Sequence, residues 1–319
     1  MTQCIFCNED EQKVFFKIKT HSFPYALQKC THCHAYTLAP TPTTEQLDKA
    51  YNTGYYGEGE AKFNPIIEFG VNLFRSMRAS RAVKGIPESG KLLDIGCGSG
   101  AFLNFLHKKY NLQLSGLEIE GDAALRAADQ NKGFTLYTGF LQTTDFSKET
   151  FDVITIYHVF EHLLTPNEDL GKIQQILKPN GRLVISMPNI DSWQAKFFKD
   201  DWFHLDVPRH LIFFKPKDFK RMMQAKGFEI ETERYISWEQ NPYGYIQSSL
   251  NVLSKKHNFL YEFLKTNEKS AFGKRNLFQI GLHVLFAGIT LPLFLLVDLF
   301  ESLFKKSATV EYTFRYQPK

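Results

Sequence analysis

A surplus of charge of either sign is missing: 38 Lys and Arg stand against 34 Asp and Glu, a formal net charge of +4 over 319 residues. That field is too mild to hold a polyanion, so no nucleic-acid partner is expected. An apolar leader is missing as well. Met1 to Asp10 is polar and carries two cysteines, which predicts no export and a cytoplasmic chain. Cysteine is scarce, five in all, and four fall in two Cys-x-x-Cys pairs, Cys4/Cys7 and Cys30/Cys33. Without an export signal, two such pairs present four thiolates to a structural Zn2+ more readily than they form disulfides. His32 and His34 are then bystanders, since four sulfurs close a tetrahedral site. Long apolar runs are absent but for one, Asn276 to Phe304. Phenylalanine, at 30 residues, is abundant and suits both aromatic pockets and a membrane-facing segment.

The most informative stretch is Leu92-Leu93-Asp94-Ile95-Gly96-Cys97-Gly98-Ser99-Gly100. An apolar strand runs into a glycine turn, and Ala101 to Tyr110 reads as a helix with Phe102, Leu103, Phe105 and Leu106 on one side. Glycines let main chain approach a ligand, and a new helix aims free N–H groups at it. Glu118 ends the next apolar strand, close to the offset of about 20 residues expected of a ribose-binding carboxylate. This pairing predicts a nucleoside-bearing cofactor. The loop alone does not choose which, because Gly96-x-Gly98-x-x-Ala101 also satisfies the dinucleotide fingerprint of an NAD-dependent oxidoreductase. Strands expected at 91–95, 112–118, 134–137, 151–157 and 181–187 alternate with helices, which predicts a parallel sheet covered on both faces. Asp94, Glu118 and His158 all fall at carboxyl ends of these strands and should converge on one rim.

Asp94 with Gly96, Gly98 and Gly100 fills the acid-G-x-G-x-G pattern of class I S-adenosylmethionine-dependent methyltransferases, and the chain resembles that family over roughly residues 85–240. The strand Phe151–Tyr157 leads into His158-Val159-Phe160-Glu161-His162-Leu163. Gly181–Met187 closes on Pro188-Asn189, and Pro208-Arg209-His210-Leu211 precedes an amphipathic helix, Lys217 to Ala225. The resemblance implies a Rossmann-like, seven-stranded, mostly parallel α/β sheet with S-adenosylmethionine as donor. It implies Glu118 on the ribose and Asp94 orienting the methionine end. The cofactor-binding set is Asp94, Gly96, Cys97, Gly98, Gly100, Glu118, Ile119, Phe140, Leu141 and Tyr157, with Phe140 and Leu141 bordering the adenine and Cys97 serving as a small residue. If the acceptor is a hydroxyl, His158 and His210 are the candidate catalytic bases, because imidazole titrates near working pH. His158-x-x-Glu161-His162 is similar to the Glu-x-x-Glu-His at which ubiquinone-pathway O-methyltransferases hold a divalent ion. Histidine in the first position weighs against a metal, so Glu161 and His162 are expected to cap or pack.

Residues 1–38 read as a zinc-ribbon module, too small for its own apolar core. A zinc ribbon ahead of such a domain also occurs in deoxysugar C-methyltransferases, whose further large C-terminal domain is missing here. Ala39 to Thr44 reads as a linker in which Thr44 caps a helix from Glu45. Residues 45–240 make the methyltransferase domain. Tyr51 to Gly57 is a glycine-tyrosine loop, of the kind similar family members fold over the cofactor cleft, and Pro65 to Val83 reads as a helix. The stretch from Asp191 to Lys215 is rich in aromatics (Trp193, Phe197, Phe198, Trp202, Phe203) and is expected either to form the acceptor pocket or lid or to dock on the apolar tail.

Residues 241–306 form a helical, hydrophobic insert, and 307–319 the final strand. Within the insert about 18 mainly apolar residues could just span a bilayer. The resemblance implies a seventh strand antiparallel inside the same sheet, which returns both flanks to one side, so a re-entrant or interfacial hairpin bent at Gly288 and Pro292 is expected. It would lie on the inner face of a membrane through residues 277–304, a peripheral or monotopic attachment. A buried or dimer-forming hairpin is the alternative. The function that follows is methyl transfer to a small-molecule or lipid- or glycan-linked acceptor. Two rivals are the NAD-dependent oxidoreductase and a non-catalytic binding module built on a degenerate methyltransferase fold.

Overall fold

The computed structural model of the chain describes residues 3–20, 22–52, 65–146, 150–254, 256–265 and 274–318. Strands β1 (Gln12–Lys17), β2 (Ala26–Cys30) and β3 (Tyr36–Ala39) open it, followed by α1 (Thr44–Asn52) and α2 (Pro65–Ala82). Strands and helices then alternate: β4 (Lys91–Ile95), α3 (Ala101–Lys109), β5 (Gln113–Glu118), α4 (Asp122–Asp129), β6 (Thr135–Thr138), β7 (Phe151–Tyr157), α5 (Pro166–Ile176) and β8 (Leu177–Pro188). The remainder comprises α6 (Trp193–Phe198), β9 (Ile212–Phe213), α7 (Pro216–Ala225), β10 (Phe228–Arg234), α8 (Asn241–Leu253), α9 (Phe259–Lys265), α10 (Lys274–Leu303) and β11 (Thr309–Tyr316).

Seven strands form one sheet in the order β10-β11-β8-β7-β4-β5-β6. Its central parallel strands β4, β7 and β8 are mainly apolar and buried on both faces, whereas the edge strand β6 is half-exposed. Leu93, Ile95, Ile154, Ile156, Leu183 and Ile185 face one core. Their neighbours Leu92, Val153 and Val184 face the other, against Phe102, Leu103 and Leu106 of α3. The last strand, β11, runs antiparallel between β8 and β10, as a return from the helical insert requires.

The N-terminal strands do not stand apart as a bead ending at residue 38. β3 continues to Ala39 and pairs with β9, making a second sheet in the order β1-β2-β3-β9. Cys4, Phe6, Cys30 and Ala35 pack into the main core, with Phe6 edge-on to Phe214 at 5.6 Å. The cap of α1 also differs from expectation. Thr43, not Thr44, caps it: Gln46 N donates to Thr43 Oγ1 and Thr43 N donates to Gln46 Oε1, a reciprocal box.

The apolar tail is not a hairpin. α10 is one 30-residue helix with Pro292 inside it. An interior proline costs about 3 kcal/mol. Packing outweighs this, because Ile280, His283, Phe286, Phe294, Asp298 and Glu301 form a stripe at helical spacing turned toward the protein along the whole length. The stripe is pinned at its C-terminal end. Asn241 Nδ2 donates to Asp298 Oδ1 at 2.7 Å, Ser237 N to Asp298 Oδ2 at 3.2 Å, and Tyr245 Oη to Glu301 Oε1 at 2.5 Å.

Candidate active site

The glycine loop between β4 and α3 is held from below, since Gly96 N and Cys97 N both donate to Leu117 O at 2.8 and 3.1 Å. Gly96, Gly98 and Gly100 all have left-handed φ, +71°, +57° and +71°. Their surroundings separate their roles. A Cβ on Gly96 would lie 2.3 Å from Val159 Cγ2, and one on Gly100 2.5 Å from Phe134 Cζ. A Cβ on Gly98 would meet nothing within 4 Å. The protein itself therefore demands two of the glycines, and the third lies bare beneath open space.

Beside that space is Glu118, buried at the end of β5. Gly98 N donates to its Oε2 at 2.7 Å and Ile119 N to its Oε1 at 3.2 Å. Burial raises its pKa, and these two N–H groups oppose the rise. Asp94 is buried one strand away and accepts from Thr155 Oγ1 at 2.6 Å. Burial pushes its carboxyl up to about 7 against the opposing pull of Thr155 and Arg78. Ile119 and Phe140 are exposed at the rim. A bare glycine beside a buried carboxylate with free lone pairs fits a ribose diol and its nucleoside.

Three residues of the expected cofactor set turn their side chains away from the space above the loop. Leu141 is turned into the main core with Phe146 and offers the cleft no side chain. Cys97 is buried on the underside of the loop against Leu103 and Gly116, so it contributes main chain only, and burial raises its thiol. Tyr157 faces a neighbouring cleft, with the Arg78 guanidinium 5.2 Å over its ring.

That cleft, open to solvent and with about 70 Å³ of cavity volume, lies beyond the carboxyl ends of β7 and β8, under α2 and the 234–240 segment. Met77, Tyr157, His158, Ser186 and Trp238 are on its walls. Arg78 pairs with Glu239, and Arg81 takes Glu311 in two bonds of 2.6 and 2.8 Å. His158 has φ +55°, and its N donates to Ser186 O at 2.9 Å. Its Nδ1 lies 3.3 Å from Glu161 Oε1 and its Nε2 3.2 Å from Ser186 Oγ. Glu161 is wholly buried. Burial pushes its carboxyl up, but the His158 hydrogen bond and the attraction of the facing imidazoles outweigh it and bring it to about 2.

His210 does not share the cleft. It is buried behind Glu161, its Nδ1 donating to His204 O at 2.8 Å and its ring edge-on to His162 at 4.6 Å. Ligand atoms of Glu161, His162 and His210 come within 4.8 Å of one another, a set able to hold a cation. Burial holds His162 down to about 4, hence neutral. The aromatic stretch is not a lid: Trp202 and Phe198 pack with Tyr36 and Leu38 of the ribbon, Phe203 meets Tyr243 and Tyr261, and Trp193 docks on Phe300 and Phe304 of α10. Of the glycine-tyrosine loop, residues 53–57 lie outside the described residues. Tyr51 Oη approaches His162 Nδ1 at 3.1 Å. Sequence reasoning missed Ser186 and Arg78 altogether, and it read Glu161 as packing although its i,i+3 spacing from His158 marks a pair.

The four N-terminal cysteines converge. Cys4 Sγ lies 3.5 Å from Cys33 Sγ and Cys7 Sγ 3.6 Å from Cys30 Sγ, and none is in a disulfide. Zn–S bonds of about 2.3 Å at tetrahedral angles separate sulfurs by roughly 3.8 Å. The donor set therefore fits a zinc ion.

Residues 72–233, just over half of the chain, match the family described as a methyltransferase domain. The chain belongs to that family. Its fold and glycine loop are those of the class I S-adenosylmethionine-dependent methyltransferases. The methyltransferase is 25% identical over 150 residues to a ubiquinone biosynthesis O-methyltransferase of Idiomarina loihiensis, covering 44% of this chain and 61% of that one. It is 28% identical over 127 residues to a dTDP-3-amino-3,4,6-trideoxy-alpha-D-glucopyranose N,N-dimethyltransferase of Streptomyces venezuelae, covering 39% and 51%. It thus spans between half and two thirds of these two relatives. A phosphoethanolamine N-methyltransferase of Plasmodium falciparum is 23% identical over 243 residues, covering 70% and 86%. Among solved structures, the [4+2]-cyclase SpnF shares the fold with TM-score 0.53 at 14% identity, covering 88% of this chain and 98% of that one. A cyclase on this fold shows why the fold alone does not name the acceptor.

Proposed function

We propose that the methyltransferase moves a methyl group to a hydroxyl of a small-molecule or lipid- or glycan-linked acceptor, working at the cytoplasmic face of a membrane. The observation that carries the reading is His158 on the wall of the cleft with the buried Glu161 carboxylate behind it. Asp94, the main chain from Gly96 to Gly100, Glu118, Ile119 and Phe140 would hold the donor. Bound there, S-adenosylmethionine supplies a methyl carbon already activated by its sulfonium. The protein's own tasks are alignment, exclusion of water and acceptance of one proton.

His158 is built for the proton. An ionised Glu161 can only accept, so His158 Nδ1 carries the hydrogen and Nε2 keeps its lone pair. Ser186 Oγ donates to that lone pair in this structure, and an acceptor hydroxyl entering the cleft takes its place. The charge that develops on the imidazole is then stabilised by the carboxylate in contact with it. His210, buried away from the cleft, supports this arrangement from behind rather than acting as a base. O-transfer is favoured over N-transfer because a hydroxyl needs such a base, whereas an amine can arrive neutral. The names of the relatives describe both O- and N-methyltransferases, and they support a small-molecule acceptor.

Cys4, Cys7, Cys30 and Cys33 would hold a structural Zn2+ that fastens the ribbon to the domain. Residues 277–304 would attach the protein to the membrane, a reading supported by the exposed apolar helix they form. The test is direct. With methyl-labelled donor and cell extract, label should enter an acceptor in a His158-dependent way, while His158→Ala still binds S-adenosylhomocysteine in calorimetry. Loss of both together would assign His158 a structural role and remove the mechanism.

A further inference from the structure

We propose that α10 lies flat in one leaflet of a bilayer, with its apolar flanks in hydrocarbon and its packed stripe on the protein. This rests on the reading that residues 277–304 attach the enzyme to a membrane, and it names the geometry and the surface.

Charge is sorted around the helix. From Asn276 to Leu303 the charged residues are Asp298 and Glu301, and both are fully buried in the stripe. The outer flanks carry Phe278, Leu285, Ile289, Leu293, Leu296 and Leu303, 57 to 74% exposed. A charge-free face about 42 Å long, at 1.5 Å per residue, suits hydrocarbon rather than water.

The packing forbids a span. The stripe faces α8 and α9 from Ile280 to Glu301, and α8 buries Gln247, Ser248 and Asn251. Asp298 is bonded to Ser237 on the rim of the active-site cleft. Upright in a bilayer, α10 would carry these polar groups and that rim into hydrocarbon. Flat, it keeps them at the surface.

The C-terminal end of the helix matches a lipid headgroup layer. Trp193, ring to ring with Phe300 and Phe304, is the kind of aromatic found at such boundaries. Around them Asp191 is met by Lys196, Lys215 and Lys306, and Glu233 by Lys220 and Lys305. Five lysines around two carboxylates leave a positive surplus, complementary to an anionic leaflet. A second copy of the chain would cover one flank of the ridge and leave the other bare, whereas lipid wets both.

The experiment is flotation of the full chain with vesicles of POPC and POPG at about 7:3. Wild type should float, and the Leu285→Glu/Leu293→Glu double variant should lose about tenfold or more of the bound fraction. Both positions are exposed, so S-adenosylhomocysteine affinity should be the same in the two proteins. Nitroxides on Phe278→Cys, Ile289→Cys and Leu303→Cys should report one depth to within about 3 Å. Equal flotation of wild type and variant, a depth gradient along the helix, or a stable dimer that does not float would each overturn the proposal. Failure to bind S-adenosylhomocysteine with flotation intact would instead remove the reading of the active site.

Discussion

Glu161 turns one carboxylate oxygen toward His158 Nδ1 at 3.3 Å and buries the other without a hydrogen-bond partner among the described residues. His162, His204 and His210 surround it, with Asp206 and Arg209 beyond. A carboxylate so enclosed is costly to bury, and the imidazoles that face it keep it ionised.

Glu161→Gln should keep the shape of the site and remove the charge behind His158. The expected result is a loss of about 10²-fold or more in label transfer, with S-adenosylhomocysteine affinity within about twofold of wild type. If Glu161 acts through His158, the His158→Ala/Glu161→Gln double variant should be no slower than His158→Ala alone. Additive losses would show that Glu161 works independently.

Two glycines of one loop should fail in different ways. Gly98→Ala places a methyl group in open space at φ +57°, so it should cost about 1–2 kcal/mol of stability from backbone strain alone while weakening S-adenosylhomocysteine binding at least about tenfold. Gly96→Ala drives its methyl group to 2.3 Å from Val159, adding an overpacking cost of about 1–3 kcal/mol. Melting curves and calorimetry on the two variants check this. Equal melting temperatures would contradict the division of roles.

The sheet was legible because strands buried on both faces, such as β4 and β7, must be mainly apolar. Asp94 and Glu118 were legible because a parallel sheet puts strand ends on one rim. What stayed hidden depends on partners distant in sequence. Nothing local to His210 says that His204 O and Glu161 will enclose it, and nothing near Trp202 points to Tyr36. Gly288 and Pro292 looked like bend points until α8 supplied a stripe for a straight helix to pack on. Thr43 lost to Thr44 in reading because the deciding residue, Gln46, is three positions downstream.

Zinc should be present at one ion per chain by elemental analysis, and Cys7→Ser should lose it. Because β3 pairs with β9 and Cys4, Cys30 and Phe6 pack in the main core, removal should lower the melting temperature of the whole protein. A separate low-temperature transition with the main one unmoved would mean that the ribbon is an independent module. Finding no metal in protein purified without chelators would remove the zinc reading.

Asp94 makes the last prediction a matter of pH. Burial disfavours the charge and pushes its carboxyl up to about 7 when folded, against 3.8 for a solvated aspartate. The folded form therefore binds a proton that the unfolded form has already released between those values, so this group's contribution to stability falls as pH rises from about 4 to 7 and is constant above. Asp169 and Glu301, both pushed up to about 7, act in the same direction, while His162 and His204, held down to about 4 and 3, act oppositely below about 6.5. A difference between two proteins cancels these. Asp94→Asn keeps an oxygen for Thr155 and carries no charge, so without donor it should be more stable than wild type by about 1–4 kcal/mol at pH 8. That advantage should shrink steadily toward pH 4, in urea unfolding followed at each pH. The same variant should bind S-adenosylhomocysteine more weakly, since the group that destabilises the empty site is the one placed to hold the donor. An advantage independent of pH would mean that Asp94 is not the buried, reluctant acid its surroundings make it.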